Sequence, residues 1–232
     1  MIDRFLCSCF LNFRRFWYIC SNLIKNDRTR MNVVQEKGNG ENCESEELLA
    51  TPQELTEDGC PWYAVKLYSL RLNDVLSYFK EQGLTCFVPM EYTLADRGVR
   101  QRKPVFRPVV RNLVFIKKDR EEREMRRIAG ASIYKLSVVR KTRTERAYYE
   151  ILAKEMREFM LMCSPEIEMR QYLSVEEAKL KAGTPVVVRY GPLRGLSGKL
   201  VRSSKKYFLL KEIPGIAVMI KVSRWCCVAE EG

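Results

Sequence analysis

From Trp62 onward the chain changes from a polar, acidic stretch to blocks of apolar residues with readable periods. Trp62-Tyr63-Ala64-Val65-Lys66-Leu67-Tyr68 is rich in aromatic and β-branched residues and predicts a largely buried strand. Leu72, Val75, Leu76 and Phe79 then fall at i, i+3, i+4 and i+7, the stripe of an amphipathic helix that Ser69 can cap and that ends before Gly83. Leu84 to Pro89 predicts a second strand and Val109 to Lys117 a third. Asp119 is placed to cap the charged helix REEREMRRIA, which stops at Gly130, and Ser132 to Val139 predicts a fourth strand. A longer helix is expected over Thr144 to Cys163, with Tyr148, Ile151, Leu152, Phe159 and Met162 near one face. The order β-α-β-β-α-β with a trailing helix predicts an α+β fold, an antiparallel sheet with flanking helices.

Residues 164–183 contain Pro165, several charges and Gly183, and read as a linker. Beyond them, Thr184 to Tyr190, Gly195 to Val201, Lys206 to Lys211 and Gly215 to Val222 are short strands separated by Gly, Pro and Ser-Ser turns. About fifty residues of that pattern predict a small β-barrel over 184–232.

Composition narrows the function classes. The 232 residues carry 41 Lys and Arg against 29 Asp and Glu, a net charge of +12 that favours polyanionic partners, nucleic acid first and anionic membrane second. There is no histidine, which excludes Ser-His-Asp and Cys-His catalysis and every His-containing zinc site in this chain alone. The nine cysteines are odd in number and form no C-x-x-C pair, so they read as small buried apolar residues of a reducing, cytoplasmic protein. No nucleophile has an evident base partner and no Gly-rich phosphate loop is present. The chain reads as a non-enzyme with no cofactor and no metal.

The apolar and basic residues 1–30 are interrupted by Arg14 and Arg15 and are too short on either side to span a bilayer, which takes about 20 residues. Two readings stand: an interfacial amphipathic segment, or an extension upstream of initiation at Met31, of which the second is favoured. Residues 31–60 hold eight acidic residues and one basic one and read as a disordered acidic linker.

Two constellations carry candidate chemistry. Arg97, Arg100, Arg102, Lys103, Arg107 and Arg111 place six cations in fifteen residues with no acid among them, held extended by Pro104 and Pro108 around a loop tip at Gly98. Such a tip can follow a phosphate backbone, and its arginines can stack on unpaired bases. In Val187 to Val201, a strand ends in the turn Gly191-Pro192, Gly195 permits a bend and Gly198 permits close strand packing.

The glycine pattern from Gly191 to Gly198 resembles the KOW motif of small SH3-like barrels. Trp62-Tyr63-Ala64-Val65 leading into an amphipathic helix, followed by Cys86-Phe87-Val88-Pro89, a basic segment and Asn112-Leu113-Val114-Phe115-Ile116, is similar to the NGN domain of NusG transcription factors. The pair implies an NGN-like domain over 61–163 and a KOW barrel over 184–232. Within the superfamily the chain looks most like the specialised paralogues that antiterminate capsular or exopolysaccharide operons.

The resemblance implies a monomeric transcription elongation and antitermination factor that suppresses pausing or termination. It would dock on the clamp helices of RNA polymerase through Val110, Leu113 and Phe115, where aliphatic residues and Arg111 replace the family's usual aromatic segment. The basic loop would touch the displaced non-template DNA or nascent RNA. Ribosomal protein S10 or termination factor Rho would meet the barrel. The competing reading is an RNA-binding, ribosome-associated KOW protein.

Overall fold

The computed structural model describes residues 51–94, 104–142, 144, 147–164, 167 and 169–230, all within the compact unit Ala50–Gly232. The readings for residues 1–30 and for most of the acidic segment lie outside the described residues.

The first half is built on β1 (Trp62–Leu67). A short helix α1 (Pro52–Thr56) precedes it, closed by a capping box in which the Thr51 hydroxyl accepts from the Glu54 N–H and the Glu54 carboxylate from the Thr51 N–H. After β1 come α2 (Leu72–Glu81), β2 (Cys86–Phe87), the hairpin strands β3 (Met90–Leu94) and β4 (Pro104–Pro108), then β5 (Leu113–Lys117), α3 (Glu122–Ala131) and β6 (Leu136–Val138). The strands β2, β5, β1 and β6 lie side by side in that order, all antiparallel, with Ala64 opposite Phe115 and Val65 opposite both Val114 and Val138. The α+β architecture expected of this half, an antiparallel sheet with helices, is the one present.

Alternation along β5 sends its side chains into two cores. Val114 and Ile116 join Val75 and Phe79 of α2 and Met125 and Ile128 of α3. Leu113 and Phe115 face the other way, into a core with α4 (Ala153–Met162) and the C-terminal strands. There the rings of Phe87, Phe115 and Phe159 meet with centroids 5.6 to 6.4 Å apart.

The helix expected from Thr144 starts nine residues later. Trp62 and Ile151 exchange backbone hydrogen bonds of 2.8 Å in both directions, and Tyr148 bridges Arg140, so the chain ahead of α4 runs extended against β1 and β6. Two caps also differ from expectation. Arg71, not Ser69, stands at the N-cap of α2, and Glu121, not Asp119, at that of α3; Asp119 accepts instead from the Arg120 guanidinium.

Residues read as a linker supply structure to the second half: β7 (Arg170–Leu173) and α5 (Val175–Lys179), the latter closed by a Ser174–Glu177 capping box. They join β8 (Thr184–Val188), β9 (Ser197–Ser203), β10 (Lys206–Ile213), β11 (Ile216–Val222) and β12 (Cys227–Ala229), with a 3-10 turn at Arg224–Cys226. All neighbours are antiparallel in the order β12-β8-β9-β10-β11-β7. This is a six-stranded sheet and not the expected closed barrel, because β12 and β7 end the ladder without pairing with each other among the described residues. One face packs on α5 through Val201, Phe208, Leu210 and Met219 around Ala178; the other, through Leu209, Ile213, Val218 and Ile220, shares the core of Phe115 and Phe159.

Candidate nucleic-acid interface

Residues 104–108 of the basic segment form one strand of a two-stranded arm separate from both sheets. β3 and β4 pair from Met90 opposite Pro108 to Leu94 opposite Pro104, and the Val109 N–H closes the base of the arm on the Pro89 carbonyl at 2.9 Å. Pro104 and Pro108 lie at the ends of β4, where the missing N–H groups interrupt no interior ladder position. Of the expected cations, Arg107 lies on β4 opposite Glu91 and Arg111 lies in the turn before β5, both exposed or half-buried at the surface. Arg97, Arg100, Arg102 and Lys103 lie outside the described residues.

The arm also carries aromatic residues that charge patterning does not single out. Tyr92 and Phe106 are cross-strand partners with ring centroids 4.8 Å apart, and they are 61% and 38% exposed. Tyr92 is legible as an apolar member of the alternating run Met90, Tyr92, Leu94, whereas the adjacent Val105 and Phe106 show no alternation, and nothing in either spacing says that the rings face solvent. An exposed ring pair can stack an unpaired base, while Arg107, opposite Glu91, lies on the other face of the hairpin.

Val110, Leu113 and Phe115 are brought together, but as core. Leu113 is 2% exposed and Phe115 is fully buried, while Val110 is half-buried against the same cluster. The cover is the hairpin of β10 and β11, whose Gly215 lies against the Leu113 methyl groups.

The turn between β8 and β9 holds Gly191 and Gly195 at φ of +89° and +92°, where a β-carbon would be strained. It is tied by the Gly195 N–H to the Val188 carbonyl at 2.8 Å and by the Val188 N–H to the Leu196 carbonyl at 2.9 Å. Pro192 occupies the turn after Gly191. A β-carbon on Gly198 would stand 2.5 Å from the Leu210 carbonyl oxygen, so strands β9 and β10 approach more closely there than any other residue permits.

Under this sheet lies a buried ion pair. Lys211 of β10 reaches Glu158 of α4 at 2.5 Å, and the Ser197 hydroxyl donates to the same carboxylate oxygen at 2.8 Å. Both charged side chains are at least nine-tenths buried. Lys199 and Glu212 form a more exposed pair on neighbouring strands at 2.7 Å.

Among the described residues, no three Cys, Asp or Glu side chains converge as metal ligands, and no helix is long and apolar enough to cross a membrane. No curated protein matches the chain. Residues 61–160, from the start of β1 into α4, match the family model described as transcription termination factor nusG, and this region is thus similar to a NusG domain.

Proposed function

We propose that this chain is a non-enzymatic transcription elongation factor that binds RNA polymerase and suppresses pausing or termination, acting at a polysaccharide biosynthesis operon. The observation that carries the reading is the match over 61–160 to the nusG family model, in a region whose two-stranded arm bears the exposed Arg107 and two exposed aromatic rings. In this reading the arm, with Arg97, Arg100, Arg102, Lys103, Arg107 and Arg111, tracks the displaced DNA strand or the nascent RNA. The C-terminal sheet is a divergent KOW-type module that meets ribosomal protein S10 or Rho. The factor works as a monomer in the cytoplasm.

Polymerase contact at Leu113 and Phe115 requires β10 and β11 to move away first, because a clamp helix cannot reach side chains covered by that hairpin. Val110, Arg111 and the arm remain accessible without such a movement.

Affinity purification of the full chain from its native cell tests the reading. Polymerase subunits are expected among the bound proteins, and their recovery should fall when Arg97, Arg100, Arg102 and Lys103 are changed together to Ser in buffers of low salt. Ribosomal subunits recovered without polymerase would overturn it in favour of a ribosome-associated RNA-binding protein.

A further inference from the structure

A second basic and aromatic surface lies on the C-terminal sheet, on a different element from the arm. Along β10, Leu209, Lys211 and Ile213 point toward α4; Tyr207, on the same face by strand alternation, emerges at the edge of that core. Arg202 is its cross-strand partner on β9, with the guanidinium 5.9 Å from the ring centroid, and the Arg224 guanidinium lies 5.8 Å from the same centroid. Arg224 opens the 3-10 turn that leaves Trp225 90% exposed. The Val188–Cys227 pairing, extended by the Arg189 N–H donating to the Cys226 carbonyl at 2.7 Å, sets Tyr190, 68% exposed, at the same end of the β8–β12 ladder.

The charge around these rings is of one sign. Residues 181–211 contain eight Lys and Arg and no Asp or Glu. Lys199 and Lys211 are paired to Glu212 and Glu158, whereas none of Arg189, Arg194, Arg202, Lys205 and Arg224 forms an ion pair among the described residues. Lys205 sits at the tip of the β9–β10 turn at φ of +62°, held away from the sheet. An ordinary solvated surface mixes signs and hides its tryptophans. This one does neither.

We propose that Tyr190 and Trp225, with Arg189, Arg202 and Arg224 around them, form a binding site for a single-stranded polynucleotide, the two exposed rings stacking bases and the guanidinium groups, two of them seated over Tyr207, holding phosphates. Flat aromatic faces accept any unpaired base, and an acid-free ring of cations selects a polyanion over an apolar peptide. A duplex is a poor ligand because its bases already stack on each other. The proposal is independent of polymerase binding.

The test measures fluorescence anisotropy of labelled twelve-residue oligouridylate and oligothymidylate against the full chain, with a duplex of equal length as competitor. W225A and Y190A should each weaken single-strand binding about tenfold with an unchanged melting temperature, both side chains being largely exposed. Changing Arg202 and Arg224 together to Ser should lower the slope of log affinity against log salt by roughly 1.4, about 0.7 for each phosphate that is no longer neutralised. A W17F background retains Trp62, which is fully buried, and Trp225, so quenching by the oligomer reports on Trp225 whether or not W225A folds. Tighter binding of one oligomer assigns the strand chemistry, RNA or DNA. Unquenched emission, wild-type affinity in W225A, or duplex binding as tightly as single strands would overturn the site. Affinity that falls only when Arg97, Arg100, Arg102 and Lys103 are changed would overturn it too, while leaving the arm's role intact.

Discussion

Leu113 of β5 occupies the space in front of Gly215: a β-carbon on residue 215 would stand 2.8 Å from Cδ1 and 3.1 Å from Cδ2. The contact joins the first sheet to the turn between β10 and β11, where Pro214 precedes Gly215 at φ of +98°. G215A therefore meets two penalties, a left-handed backbone and an overpacked leucine, each of order 1 to 3 kcal/mol. Urea denaturation should show a loss of about 2 to 6 kcal/mol. Adding L113A to G215A should cost less than the sum of the two single changes, since the truncated side chain vacates the space that the new methyl needs. Strict additivity would mean that the two residues do not press on each other.

Lys211 and Glu158 form the second tie between α4 and the C-terminal sheet. Removing one charge strands the other in a core, so K211M should cost roughly 3 to 5 kcal/mol. The double change K211M with E158L should recover much of that loss, because the buried pair is replaced by apolar volume. Both values come from the same urea titration.

Near the start of β1, Lys117 donates to Asp58 at 2.6 Å, and this hydrogen bond holds the carboxyl below its ordinary value of 3.8. A depressed carboxylate stabilises the fold above its unfolded value, and the contribution disappears as pH falls through the folded value. D58N should thus lower stability at neutral pH by less than about 1 kcal/mol, the Asp58 side chain being half exposed, and by nothing at acid pH. Thermal melts at pH 7 and pH 2.5 distinguish the two regimes. A constant difference would assign the effect to the Cys60 N–H that also bonds Asp58.

Burial pushes the Cys163 thiol up to about 12, and Cys86 likewise. Neither should react with iodoacetamide at pH 8 in the native protein. Cys163 lies in the core shared with the C-terminal sheet, so its alkylation rate, followed by mass spectrometry, reports on opening of that core. G215A and K211M should each accelerate labelling of Cys163 far more than that of Cys86, which packs on the opposite side of the first sheet.

Much of the first half was legible because its signals are local. The stripe of Leu72, Val75 and Phe79 and the run Trp62 to Leu67 form the elements that their periods predict. Tyr148, Ile151 and Leu152 also fit a helical stripe, yet Ile151 pairs with Trp62 and Leu152 is exposed, since a free strand edge satisfied that backbone better than another helical turn. Residues 170–173 carried too few apolar residues to read as a strand. Their place beside β11 comes from a partner almost fifty residues away. For the candidate site, Pro104 and Pro108 predict an extended segment, and β4 runs between them. The burial of both Leu113 and Val114 was not legible, because alternation shows that neighbours face opposite ways and not that both sides are covered.

The shared core has a consequence for synthesis. Phe115, Met156 and Phe159 complete their apolar surroundings with Leu209, Val218 and Ile220, which follow them in the chain by about fifty residues or more. As the chain leaves the ribosome N-terminus first, the first half must wait with one side of its sheet and of α4 uncovered until β11 emerges. Translation stalled between α4 and β10 would release a species with an adhesive surface. A chain that ends before β11 would therefore expose the leucine and phenylalanines that the folded protein hides, and is expected to aggregate.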